Sequence, residues 1–124
     1  MNQMTRMVDI LGTEYRIETH KVSEDSYLKE NHLAGYCCED NKLIVIADMS
    51  EEEYFTGMDE VAQKVYYKKT LRHEVIHAFL NESGLSDNAS IPVFAWAKHE
   101  EMVDWIAIQF PKIRKVFAKL GCDE

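Results

Sequence analysis

Five consecutive residues in this chain have the types and the spacing for metal chemistry: His73-Glu74-Val75-Ile76-His77. The pattern is H-E-x-x-H. On a helix, side chains four apart lie on one face, one above the other. Both imidazoles can then reach a single ion at roughly 2.0–2.1 Å. Glu74 falls beside the ion instead of on it, which suits a base acting on metal-bound water. Chance puts this pattern in a chain of such length on the order of once in a few hundred sequences. A metal pair therefore outweighs the plainer reading of two polar-face histidines.

A catalytic zinc site takes three protein ligands and leaves one position open. The third is expected from Lys98-His99-Glu100-Glu101-Met102-Val103-Asp104-Trp105. Glu100 follows His77 by enough residues for a helix end, a loop and a return pass. Asp104 lies one turn after Glu100 on the same face, and can fix the tautomer of a ligating histidine through its other ring N–H. That neighbour favours Glu100 over Glu101, which stays the alternative ligand. Paired acids early in a helix are also common as a solvated, dipole-favouring face. His99 could be a rival ligand or a hydrogen-bond donor to an oxyanion, but the plainer reading gives it neither role. Tyr54, Tyr66 and Tyr67 are further candidate oxyanion donors, although tyrosines at helical spacing usually serve packing. His20 and His32 fall outside any pattern and read as surface residues.

The elements that must position these groups come in a simple order. Residues VDILG and EYRIETHKV flank Gly12-Thr13 as a first hairpin. Gly35–Cys38 and Leu43–Ala47 flank Glu39-Asp40-Asn41 as a second. Ser50 with Glu53, and Thr56 with Asp59, look like capping boxes. From about Gly57 to Ser83 good helix formers dominate, with Val61, Val65, Leu71, Val75, Ala78 and Phe79 at three- and four-residue steps. One long helix, or two with a bend, carries the H-E-x-x-H. Gly84-Leu85 suits its ending. Ser90 and Pro92 suit the start of a second helix running to about Gln109. Pro111 ends that helix and opens a last one, which stops at Gly121. Strands first and helices after indicate an α+β fold: an antiparallel sheet of hairpins, the long H-E-x-x-H helix and two further C-terminal helices. The 124 residues fit one domain, 1–124.

Composition narrows the partners. The formal net charge is −8, a poor match for nucleic-acid phosphates. The basic stretches Lys64–Arg72 and Lys112–Lys119 read as solvated helix faces. Cys37, Cys38 and Cys122 are odd in number and lack C-x₂-C spacing, so reduced thiols are expected, with neither a disulfide framework nor a cysteine zinc site. The start of the chain has no apolar core of a leader peptide. Apolar runs such as Leu43–Ala47 are far too short to span a bilayer. The expectation is a cytoplasmic protein with no nucleic-acid or membrane partner.

HEVIH followed by an acid-rich helix resembles the gluzincin branch of zinc metallopeptidases, whose third ligand is a Glu in an N-E-x-x-x-D setting. Here His99 replaces the Asn, which is not a ligand. The hairpins before the active helix and the E-x-x-x-[ND]-x-x-A stretch, present as Glu100, Asp104 and Ala107, are similar to ImmA/IrrE-type metallopeptidases. LRHEVIHAFLNESGL and EEMVDWIA are similar to short proteins of phages and prophages of Gram-positive bacteria. The resemblance implies a zincin-like fold and a Zn²⁺-dependent metallopeptidase. Its zinc-activated water hydrolyses a peptide bond with Glu74 as general base, and its substrate is a protein or peptide. Zincins seat the substrate along a sheet edge near the active helix. Leu43–Ala47 is the candidate edge strand, though its continuous apolar character equally suits a central one. The competing function is a zinc-stabilised module that binds a phage or host regulator and cleaves nothing. The intact Glu74 counts against it, since a structural site needs no base.

Overall fold

Leu11 and Gly12 both adopt left-handed φ values, 53° and 90°, the combination a two-residue hairpin needs to match strand twist. They join β1 (Arg6–Ile10) to β2 (Thr13–His20) as the first hairpin. The Asp9 carboxylate closes the turn by accepting from the Gly12 N–H at 2.8 Å. The second hairpin pairs β3 (Gly35–Cys38) with β4 (Leu43–Ala47). The structure, a computed structural model, describes residues 5–86 and 95–123.

The sheet is mixed, not antiparallel throughout as expected. Its strand order is β1-β2-β4-β3, and β2 runs parallel to β4. A parallel pair needs a crossover connection. Here it contains a 3-10 turn (Val22–Glu24), helix α1 (Ser26–Asn31) and β3 itself. β3 takes the outside position and β4 returns into the middle. This corrects the edge-strand expectation for Leu43–Ala47. The physical reason is that β4 has core on both faces. Ile44 and Ile46 join one apolar cluster with Ile10, Tyr15, Met49 and Ala78. Val45 and Ala47 join a second with Val22 and Leu28. A strand buried on both faces reads as a continuous apolar run.

Helix α2 (Glu60–Glu82) is a single 23-residue helix, not two with a bend. Its cap is Asp59, whose carboxylate accepts from the Ala62 N–H at 2.8 Å. Thr56 instead donates to the Glu52 carbonyl, so the helix starts three residues later than that cue suggests. At the other end, Leu85 N–H bonds the Leu80 carbonyl and Gly84 N–H the Asn81 carbonyl. That is the Schellman ending expected of Gly84-Leu85. Thr70, Glu74, Ala78 and Asn81 are the buried positions of α2. Glu82 ties this end to the sheet, accepting from the Tyr15 hydroxyl at 2.7 Å and from Lys42 Nζ at 2.8 Å.

The two expected C-terminal helices prove to be one. A 3-10 turn (Trp96–Lys98) leads into α3 (Glu100–Leu120), which runs through Pro111 without a break. The proposed cap at Ser90 and first-turn Pro92 lie outside the described residues. A proline inside a helix leaves the carbonyl four residues back without its N–H partner. For Pro111 that is Ala107, and Arg72 Nε from α2 donates to its oxygen at 2.7 Å. A side chain from the neighbouring helix thus supplies the bond that the proline removes. Among the described residues no helix is long and apolar enough to cross a membrane.

Candidate metal centre

Helix α2 presents His73 and His77 on the side that meets the start of α3. The two rings lie 4.8 Å apart between centroids, at 67°, with their Nε2 atoms 3.2 Å apart. Ligand-capable atoms of His73, Glu74 and His77 all lie within 4.8 Å of one another. Glu100 completes the arrangement from α3. Its Oε1 is 2.7 Å from His77 Nε2 and its Oε2 is 3.5 Å from His73 Nε2. The early residues of α3 are placed by the cap at His99, whose Nδ1 accepts from the Met102 N–H at 3.0 Å.

The far side of each ring is also engaged. His77 Nδ1 is 2.6 Å from the Ala97 carbonyl, which requires Nδ1 to donate. His73 Nδ1 is 3.4 Å from Asp104 Oδ1. Both Nε2 lone pairs are thereby directed to the common point that faces Glu100. Carbonyl and carboxylate partners on the outer nitrogen are the arrangement that orients metal-bound histidines. Two imidazoles and one carboxylate also match a catalytic zinc donor set with a position left open. The residues present therefore fit a divalent metal of this kind.

Glu74 is 6% exposed. Burial, and then the charge of Glu100, push its carboxyl up to about 8. A nearby cation acts in the opposite sense. Burial also lowers His77 below the ordinary imidazole value, against the raising effect of the Ala97 hydrogen bond and the Glu100 charge; this favours the neutral ring that a ligand must be.

A cleft of about 210 Å³ opens onto the site, lined by Ala34, Gly35, Tyr66, Lys69, His73 and Glu74 among others. One wall is therefore the start of β3, the edge strand, and the other is α3 with Glu100 and Asp104. Of the four candidate oxyanion donors only Tyr66 lines this cleft. The Tyr67 hydroxyl bonds Thr19 Oγ1 at 2.8 Å on another face. Tyr54 packs on the Val22–Leu28 cluster, and His99 is occupied as a cap. Glu101 is exposed and pairs with neither histidine among the described residues, so Glu100 is the acid beside the pair.

Sequence reasoning missed Lys69, His32 and the carbonyl of Ala97. Lys69 sits one turn before His73 and had a readable signal in that spacing. His32 lines the cleft from the end of α1, where it holds a left-handed φ of 52°; nothing in its neighbours points there. The three cysteines are free, and none joins the histidine group. Burial, and then the charge of Glu74, push the Cys37 thiol up to about 12, so it stays protonated and unreactive. Compared with family models, curated proteins and solved structures, the chain finds no match.

Proposed function

We propose that this chain is a zinc-dependent metallopeptidase of gluzincin type, akin to ImmA/IrrE-type and small phage-encoded proteins, acting on a protein or peptide substrate. The observation that carries the reading is the approach of Glu100 to both His73 and His77 Nε2, at 3.5 and 2.7 Å. His73, His77 and Glu100 would hold the ion. When bound, Zn²⁺ supplies Lewis acidity, polarising the scissile carbonyl and acidifying water.

The remaining work falls to the chain's own groups. Glu74 takes the proton of the attacking water and hands it to the leaving amine. Its place beside both histidines supports this, since a general base must lie within reach of the water it activates. Asp104 and the Ala97 carbonyl hold the two rings in place. Tyr66 borders the cleft about two helical turns before His73, so it lines the substrate's path and does not reach the oxyanion. Among the described residues β3 is the outer strand of the sheet, and Ala34 and Gly35 line the cleft beside His73. Substrate backbone pairing therefore belongs to β3, with recognition carried largely by main-chain hydrogen bonds.

The test uses the zinc-loaded protein and a peptide library read by mass spectrometry. Wild type is expected to release new termini. Glu74→Gln is expected to keep its zinc and release none. A zinc-loaded wild type that cuts nothing, or a Glu74→Gln variant that cuts equally well, would overturn the hydrolase reading in favour of a zinc-stabilised binding module.

A further inference from the structure

The cleft beside the histidines does not end at Tyr66. His32, Leu33, Ala34 and Tyr66 line it, and the same four residues line a second cavity of about 360 Å³. The two adjoin at that shared border. Val22, Leu28, Tyr54, Phe55 and Met58 form the walls of the second cavity. Phe55 and Tyr66 meet edge to face at 6.2 Å on one side. Its volume falls in the range of small-ligand sites, roughly 300–1,000 Å³, and its open surface is about evenly polar and apolar, the apolar part coming from aliphatic and aromatic side chains. The ionisable groups on it besides the tyrosines are Lys29 and His32, both exposed. No carboxylate lines it among the described residues.

We propose that this cavity is a specificity pocket for a bulky, uncharged apolar side chain of a peptide whose backbone lies across His73 and His77. The inference rests on the peptidase reading above and adds the class of substrate. Its position sets the register. Tyr66 precedes His73 by seven residues, about 10 Å along α2 at about 1.5 Å per residue. An extended peptide covers that distance in about three residues at about 3.3 Å each. The selected side chain therefore sits about three residues from the scissile bond, not beside it. Lys29 at the rim disfavours a lysine or arginine there, because no acid lines the cavity to pair with it.

The experiment measures binding apart from cleavage. The probes are blocked, extended octapeptides with Gly, Leu, Phe or Lys three residues from a central Ala-Ala bond. They are titrated by calorimetry into the zinc-loaded Glu74→Gln protein. The Leu and Phe peptides are expected to bind at least about tenfold tighter than the Gly peptide, as burial of one such side chain delivers. The Lys peptide should be no tighter than Gly. Thr56→Trp, at an exposed position on the cavity wall, should erase the preference and leave the Gly peptide unchanged. Lys29→Glu should raise the Lys peptide above Gly. Equal binding of Gly and Leu peptides, no binding of any peptide, or a preference that survives Thr56→Trp overturns the pocket. If preference and loss both hold while zinc-loaded wild type cuts none of these peptides, the pocket stands and the peptidase reading falls. If wild type cuts all of them without preference, the peptidase reading stands and the pocket falls.

Discussion

Arg72 is expected to hold the candidate metal centre together without touching the metal. Its Nε donates at 2.7 Å to the Ala107 carbonyl, the one orphaned by Pro111. Ala107 is one turn beyond Asp104 and two beyond Glu100, so the bond fixes α3 along α2 at the level where the acids meet the histidines. Replacing Arg72 by Met removes a charged donor of similar length and leaves a part-buried carbonyl unpaired. The cost is about 1.5–3 kcal/mol. For a chain of 124 residues, at about 2.1 cal/mol/K of unfolding entropy per residue, the melting temperature falls by about 6–12 °C. The diagnostic step is Pro111→Ala in the same background. It restores the N–H that Ala107 lacks, so the two substitutions should couple by about 0.5–3 kcal/mol in the rescuing direction. Thermal unfolding followed by circular dichroism, on the four proteins of the cycle, gives both numbers. A single Arg72→Met loss under about 0.5 kcal/mol, typical of a surface change, or strict additivity with Pro111→Ala, would refute the reasoning.

Three further outcomes follow from the same contacts. Asp104→Asn should leave the fold intact and weaken zinc affinity by about 10–100-fold, measured by competition with a chromogenic chelator, as losses of such partners do. The Lys42 hydrogen bond, and then that from Tyr15, lower Glu82 to about 2. Because the folded carboxyl ionises more readily than the unfolded one, its contribution is full above the usual carboxylate range and fades as pH falls toward about 2. The urea midpoint of wild type should therefore exceed that of Glu82→Gln at pH 6, and the gap should narrow steadily as pH falls below about 4.5 toward about 2. Gly35→Ala should destabilise by about 1–3 kcal/mol, since a Cβ there would stand 2.9 Å from both Thr70 Cγ2 and the Val45 carbonyl oxygen. Adding Thr70→Ala should not rescue it, because the carbonyl remains.

The legible parts of this molecule were the local ones. H-E-x-x-H needs only a helix to bring its histidines together, and the segment from Glu60 to Glu82 is a helix on composition alone. Gly12 and Gly84 announced a turn and a helix end because both need a positive φ. The pairing of Glu100 with Asp104 was readable as one helical turn, although its approach to His77 depends on how the chain returns. What failed was decided by tertiary packing. Pro111 carries a local instruction to stop a helix, and Arg72, distant in sequence, overrides it. The apolar run of β4 fits a central strand as well as an edge, and only the second core cluster on its other face decides. The parallel pairing of β2 with β4 follows from where α1 and β3 are placed. Nothing in either strand encodes it. The link between Tyr66 and the cavity beyond it likewise joins segments that no local pattern connects.

The central claim is that α2 and α3 together hold one divalent cation. The direct measurement is zinc per polypeptide by mass spectrometry after equilibrium dialysis against buffered, submicromolar free zinc, for wild type, His73→Ala, His77→Ala and Glu74→Gln. About one equivalent in wild type and Glu74→Gln, with loss in both histidine variants, is the predicted result. Unchanged zinc in both His73→Ala and His77→Ala, or none in wild type, would contradict it.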